Sequence, residues 1–394
     1  MQATHEIIFT AGVLCLAATL AGLLSARVGT PLLLVFIAVG MAAGEDGPGG
    51  IKFDDFKAAY LVGSLALAAI LFQGGLTTER AMVRTALWPS VLLATLGVVI
   101  SAGIVGAAAR WLFGFSWTEG LLLGAAMAPT DAAAVSVLLR QSKAQVPHRV
   151  TAALEVESGL NDPMSVFLTV GLIALLTAPQ GLSWQAAGLL FAREMVGGCA
   201  IGLGSGMVLL WGLRRLKTER SVFPVVAVGG ALAVFGGAQM LEASGFLAVY
   251  LAGLIVGNYE HEGREPVTRF FGALGWLAQI ALFLMLGLLV NPHELPEVVV
   301  PALAVAGVLV FVARPVGVVA SLAGFGWSAR EVAFVSWVGL RGAVPIYLTI
   351  IALLDGVPAA RLMFNVVFVV VIVSVAVQGW TIAPVARALR LKAG

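Results

Sequence analysis

Apolar runs of bilayer length follow one another along the chain, separated by short polar or charged stretches. A hydrocarbon core about 30 Å thick takes roughly 20 apolar residues of helix to cross. On that rule the sequence predicts thirteen spans, near residues 7–25, 30–44, 58–76, 88–109, 118–139, 149–177, 185–213, 222–241, 245–258, 268–290, 297–322, 329–354 and 359–386. The second and ninth are the shortest. No polar stretch of soluble-domain size separates them, so the expected fold is one all-α polytopic membrane domain with no soluble regulatory domain within the sequence. The first run lacks a basic stretch before it, and its basic residue, Arg27, comes after it. That pattern predicts a retained span rather than a cleaved leader.

Two runs are broken in the middle. The fifth reads LLLGAAMAPTDAAAVSVLL, where Thr130 and Asp131 follow Pro129 at mid-membrane depth. Proline removes a backbone donor and crowds the preceding turn. The twelfth reads VSWVGLRGAVPIYLTI, where Gly339, Gly342 and Pro345 surround Arg341. Spans seven apart cross the membrane in opposite directions, as an inverted repeat requires. Paired interrupted helices mark the binding site of many secondary transporters. The broken ends expose half-helix dipoles, positive at N-termini and negative at C-termini. Asp131 is placed to balance the positive ends, and Arg341 the negative ends, an acid, or both.

The sixth span carries a dense polar cluster, LEVESGLNDPMS, at residues 154–165. Ser158 and Asp162 are four apart and share a helix face, with Glu155 one turn earlier. Glu157 and Asn161 share a neighbouring face, and Pro163 follows directly. Asp162 is the deepest of the three acids. Desolvation disfavours the charged form of an unpaired carboxylate, so Asp162 is expected to hold either a proton or a metal cation. Thr130, Ser158 and Asn161 can add neutral oxygens, which suit hard cations such as K⁺ or Na⁺. Arg341 needs a counter-ion inside the membrane, where a lone charge costs at least about 2.5–3.5 kcal/mol. A structural Glu157–Arg341 ion pair is the expectation. Arg314, in VARPVG, would take another acid, and Arg193 would pair locally with Glu194. Gln73, in LFQGGLT, reads as a helix–helix hydrogen-bonding amide.

Composition narrows the class. The chain has 394 residues, 60% hydrophobic and 11% charged, against about 25% charged in soluble domains. A net charge of +2 gives no reason to expect nucleic acid. The 47 glycines suit close helix packing in lipid. Cys15 and Cys199 lie in apolar runs without metal-ligand spacing, and the four histidines fall near segment ends or in loops. Alternate loops, with the C-terminal tail, carry Arg27; Arg80 and Arg84; Arg140, Lys143 and Arg149; Arg214, Arg215, Lys217 and Arg220; Arg264 and Arg269; Arg330; and Arg387, Arg390 and Lys392. The other side has only Lys52, Lys57, Arg110 and Arg361. The positive-inside rule puts the richer set in the cytoplasm, with the N-terminus outside, the C-terminus inside and an odd number of spans.

The segments APTDAAAV, ESGLNDP and WVGLRGAVP resemble the signatures of the monovalent cation:proton antiporter superfamily, in the branch of NhaP-type antiporters and animal sodium/proton exchangers. FLAVYLAGLIVGN, WLAQIALFLMLGLLVNP and ARLMFNVVFVVVIVSVAVQG resemble the bacterial potassium/proton antiporter subgroup. The resemblance covers nearly the whole chain. It implies an inner-membrane homodimer with the sodium/proton antiporter fold, of about 13 helices in an inverted repeat. It implies a core, spans near 88–177 and 297–386, moving as an elevator against a dimerisation scaffold near 7–76 and 185–290. It implies cation and proton binding at Asp162 with Thr130, Asp131, Ser158 and Asn161, and a structural pair of Glu157 with Arg341. Asn161 before Asp162 is typical of electroneutral members, and a single exchangeable carboxylate fits one cation against one proton. No cofactor is implied beyond the transported K⁺ or Na⁺ and H⁺. The sequence departs from the pattern at Gln73, where many relatives carry an acid. Potassium-type relatives often continue into a cytoplasmic regulatory region, which these residues do not include.

Two other classes fit less well. Channel filters are commonly rings of carbonyls or acids around a shared pore, and no filter-like repeat is visible. An intramembrane aspartyl protease would use Asp131 and Asp162 as a proton-sharing pair, but Arg341, the inverted repeat and the lack of a GxGD-like segment argue against it.

Overall fold

The computed structural model describes residues 2–28, 31–142, 146–177 and 184–391. Lys143 and Lys392, used above for orientation, lie outside the described residues, as do the side chains of Arg27 and Arg140. Among the described residues, fifteen α-helices include ten segments long and apolar enough to cross a membrane, and three shorter apolar helices bring the candidate crossings to thirteen: α1 Gln2–Val28, α2 Leu32–Ala43, α3 Phe56–Thr77, α4 Arg80–Phe113, α5 Trp117–Met127, α6 Ala132–Ser142, α7 His148–Thr177, α8 Trp184–Arg215, α9 Val222–Met240, α10 Gly245–Asn258, α11 Arg264–Leu289, α12 Pro296–Leu322, α13 Ala329–Trp337, α14 Val344–Leu354 and α15 Ala360–Ala388. The α5/α6 and α13/α14 pairs are the two interrupted spans. Among the described residues, the regular structure is helical apart from one isolated bridge between Gly44 and Ile51. Exposed apolar side chains run along α1, including Ile7, Phe9, Leu16 and Leu20, and along α8, including Val196, Met207 and Val208. These are the surfaces a lipid environment accepts. This is a multi-pass membrane protein.

Local chemistry starts the two broken spans in the same way. Ser116 caps α5 and Ser328 caps α13, each in a reciprocal capping box with the glutamate three residues on, Glu119 and Glu331. Such a box satisfies two of the orphan donors at a helix start. Each broken span then unwinds, over residues 128–131 and 338–343, before its second half begins. The two unwound strips cross, and the Asp131 amide donates to the Leu340 carbonyl at 2.8 Å.

Tight glycine contacts carry much of the packing around this crossing. On α3 and α10, Gly75 sits on the Tyr250 carbonyl, Gly253 on the Phe72 carbonyl and Gly257 on the Leu76 carbonyl, with no room for a Cβ. In lipid such close approach supplies the van der Waals contact that drives association. Two helices also carry a π turn, Leu93–Gly97 in α4 and Leu309–Ala313 in α12. These spans are again seven apart, and they touch where Ser321 donates to the Leu92 carbonyl at 3.1 Å.

The alternating crossings gather one set of termini at a basic end. There Asn258 bridges α10 to the Thr78 carbonyl, and Arg149 at the start of α7 pairs with Glu331 at the start of α13. At the opposite end, Asp46 pairs with His293 at 2.5 Å, and Glu294 with Arg361 at 3.0 Å. Arg193 does not take the neighbouring Glu194: it pairs with Glu242 at the end of α9 and donates to the Leu241 carbonyl. A side chain beside it on the same helix turn points elsewhere, whereas the α9–α10 corner faces it.

Candidate site at the helix crossing

The α5 break frees carbonyls at a negative helix end and amides at a positive one. Arg341, buried on the opposite strip, donates to the carbonyls of Ala128 and Pro129, the latter at 2.8 Å. Asp131 caps the start of α6, its Oδ1 accepting from the Ala134 amide at 2.9 Å. Each charge therefore sits against the half-helix end of opposite sign. Ser374 accepts from the Arg341 amide at 2.9 Å and donates to Gln378 at 2.6 Å, and Gln378 in turn donates to the Trp337 carbonyl at 2.8 Å. Those two α15 residues satisfy the second break.

The LEVESGLNDPMS cluster lies on α7 against the α5/α6 break. Ser158 donates to the Thr130 carbonyl at 2.9 Å and accepts from the Ala132 amide at 3.2 Å. Asn161 donates to the Thr130 hydroxyl at 2.7 Å. These bonds use the donors of Ser158 and Asn161 on the unwound strip and leave acceptor oxygens over. Asn161 Oδ1 and Asp162 Oδ1 are buried and have no hydrogen-bond partner among the described residues. Unmatched buried acceptors are rare and call for an explanation such as an ion or water.

A cavity of about 350 Å³ reaches this cluster. Thr130, Asp131, Ser158 and Asp162 line it, together with Glu155 and Ser136 and, from the α3–α4 corner at the basic end, Thr77, Thr78 and Met82. Ser136 donates to Glu155 at 3.4 Å. Gln73 and Gln279 face the cavity from α3 and α11. Gln73 packs on Gly275, and no hydrogen bond of its side chain is present among the described contacts. The expected helix–helix amide bond is thus replaced by a close contact and a cavity-lining position.

The expected Glu157–Arg341 pair is not what forms. Glu157 is fully buried and takes both arms of the Arg314 guanidinium, the longer contact at 3.0 Å. Arg341 is already committed to carbonyls of the α5 terminus. The π turn at Leu309–Ala313 sits directly before Arg314. Its extra residue rotates the following helix relative to an unbroken 3.6-residue repeat. The sequence left Arg314 without a named acid, and this rotation is the signal it hides. Ser374 and Gln378 were also missed, although two polar residues four apart in an apolar run were visible.

The model of the sodium/hydrogen exchanger transmembrane family matches residues 15–388. The chain belongs to that family. Among its relatives, the K(+)/H(+) antiporter NhaP of Alkalimonas amylolytica is 46% identical over 392 residues, which are 100% of this chain and 68% of that protein. The K(+)/H(+) antiporter NhaP2 of Shewanella baltica (strain OS223) is 45% identical over 372 residues, 94% of this chain and 64% of that protein. This exchanger-family chain thus spans roughly two thirds of the length of these curated relatives. The solved structure of the sodium proton antiporter of Methanocaldococcus jannaschii at pH 8 matches with a TM-score of 0.86 at 22% identity, covering 99% of both chains. The exchanger fold, with its crossed interrupted helices, is therefore the fold of this chain.

Proposed function

We propose that this chain is the membrane domain of a secondary antiporter that exchanges a monovalent cation, K⁺ by preference, for H⁺ at Asp162. One observation carries the reading. Asp162 is a buried carboxylate that lines the cavity, it has no salt-bridge partner among the described residues, and both buried arginines are engaged elsewhere. Such a group needs a positive guest, either a proton or a cation. Thr130, Asp131, Ser158 and Asn161 complete the site with oxygens.

In this reading the basic end is cytoplasmic, the N-terminus lies outside, and the membrane is a bacterial inner membrane. The cavity then faces inward. The core is spans near 88–177 and 297–386, and it moves as an elevator against a homodimeric scaffold of spans near 7–76 and 185–290. One exchangeable carboxylate, with Asn161 beside it, supports one cation against one proton. The names of the two bacterial relatives favour K⁺ over Na⁺.

The test is exchange in proteoliposomes with K⁺, Na⁺ and Li⁺ at several pH values. The expected result is saturable, K⁺-preferring exchange that Asp162→Asn abolishes and that a clamped membrane potential does not alter. Exchange that persists in Asp162→Asn overturns the assignment, and flux without a counter-gradient would favour a channel.

A further inference from the structure

The cavity explains only half of a longer feature. Thr151, Glu155, Ser158, Asp162, Ser165 and Thr169 are spaced alternately four and three residues apart on α7. That spacing keeps six polar side chains on one stripe of the helix. The stripe is about 27 Å long at 1.5 Å per residue, close to the thickness of a hydrocarbon core. The exposed apolar residues Val170 and Leu175 lie off this stripe, so it faces the protein.

The two halves of the stripe differ. Glu155, Ser158 and Asp162 line the cavity that reaches the basic end. Ser165 and Thr169 lie beyond Asp162, toward the opposite end, and are outside that cavity. Both are fully buried, and neither hydroxyl has a hydrogen-bond partner among the described residues.

That lack is unusual within this molecule. A serine or threonine in a helix can bond its hydroxyl back to a carbonyl of the preceding turn. Thr177, on the same helix, does so to Ile173 at 2.9 Å, as do Ser64 to Tyr60 at 2.7 Å and Thr95 to Val91 at 2.6 Å. Ser165 and Thr169 do not. A buried hydroxyl without a partner costs roughly 1–3 kcal/mol, so packing alone gives no reason to keep two of them in line with Asp162.

We propose that Ser165 and Thr169 form the second half of the ion path, closed in this conformation, along which Asp162 exchanges its cation and proton with the face opposite the basic end. The inference rests on the antiport reading for the identity of the traffic. In the alternate conformation the two hydroxyls meet water or the dehydrating cation, and their missing hydrogen bonds are made. They act on the path and are not ligands of the deep site.

The experiment has two arms. Ser165→Cys and Thr169→Cys are placed in a Cys15→Ala/Cys199→Ala background and treated with a membrane-impermeant, positively charged thiol reagent from either side of oriented vesicles. Labelling is expected from the face opposite the basic end, faster when a cation gradient drives turnover. In the second arm, Ser165→Ala/Thr169→Val is compared with wild type for exchange rate and thermal stability. Its turnover is expected to fall about tenfold, with the melting temperature unchanged or raised, because no native hydrogen bond is lost.

A purely structural role predicts the reverse, a lower melting temperature and a normal rate per folded molecule. Wild-type turnover in the double variant overturns the proposal, as does labelling confined to the basic side or absent from both. Should the cysteine variants fail to fold, the Ala/Val variant decides alone. Labelling reads access rather than exchange. Cysteine variants that label as expected beside a wild type that exchanges no cation sink the antiport reading and leave the path standing.

Discussion

At the scale of the residue, the site depends on which charges are spoken for. Glu157 and Arg314 neutralise one another in the interior, while Arg341 holds carbonyl ends, so Asp162 keeps no fixed counter-charge. Breaking a buried pair from one side costs about 3–5 kcal/mol, whereas replacing both partners with apolar groups is often tolerated. Glu157→Gln should therefore lower the melting temperature sharply in detergent, and Glu157→Met with Arg314→Met should recover most of it. An equal loss in single and double variants would contradict the pairing. Asp162→Asn, by contrast, removes no native ion pair and should leave the melting temperature near that of wild type. The carboxylate cluster of α7 was legible because acids, Asn and Ser at helical spacing stand out in an apolar run. The partner of Glu157 was not. It lies 157 residues away, two buried arginines competed for it, and the turn that rotates Arg314 inward leaves no mark in composition.

At the scale of the element, both breaks were visible as a proline with glycines and a charge in mid-span. Ser374 and Gln378 on α15 also stood out as a polar pair, but their link to the break they stabilise did not, because only the tertiary fold supplies the neighbour to which a helix presents its polar pair. Helix contacts rest on glycines in the same way: Gly253→Leu would drive a side chain into the Phe72 carbonyl, and loss of the folded monodisperse protein is expected on size-exclusion chromatography. The loops at the opposite end form a pH-dependent tie. The hydrogen bond from His293 holds the Asp46 carboxyl below its ordinary range, and that same bond raises His293. Arg361 holds Glu294 down at about 2. The His293 contribution is fully present below its ordinary value of 6.5 and fades as pH rises through the raised folded value. The Asp46 contribution is present above 3.8 and fades as pH falls through its lowered folded value. His293→Gln should therefore lower the melting temperature near pH 6, with the loss shrinking as pH rises through the raised folded value of His293. A pH-independent loss would mean that the tie is steric rather than ionic.

At the scale of the whole molecule, thirteen crossings with two breaks seven spans apart build one polar crossing inside an otherwise apolar body. The order of the breaks could be read from the sequence, and hydropathy marked the runs that become ten long spans and three shorter apolar helices. The cavity could not, because Thr77, Thr78, Met82 and Gln279 line it from helices that the α7 motif does not predict as neighbours. If a cation and a proton compete for one carboxylate, binding one must release the other. The most direct measurement is the number of protons released when K⁺ is added to purified protein in weakly buffered solution on the acidic side of its pH profile, where the empty site holds its proton. One proton per bound cation in wild type, and none in Asp162→Asn, is the predicted result. K⁺ binding without proton release, or release that survives in Asp162→Asn, would contradict the account.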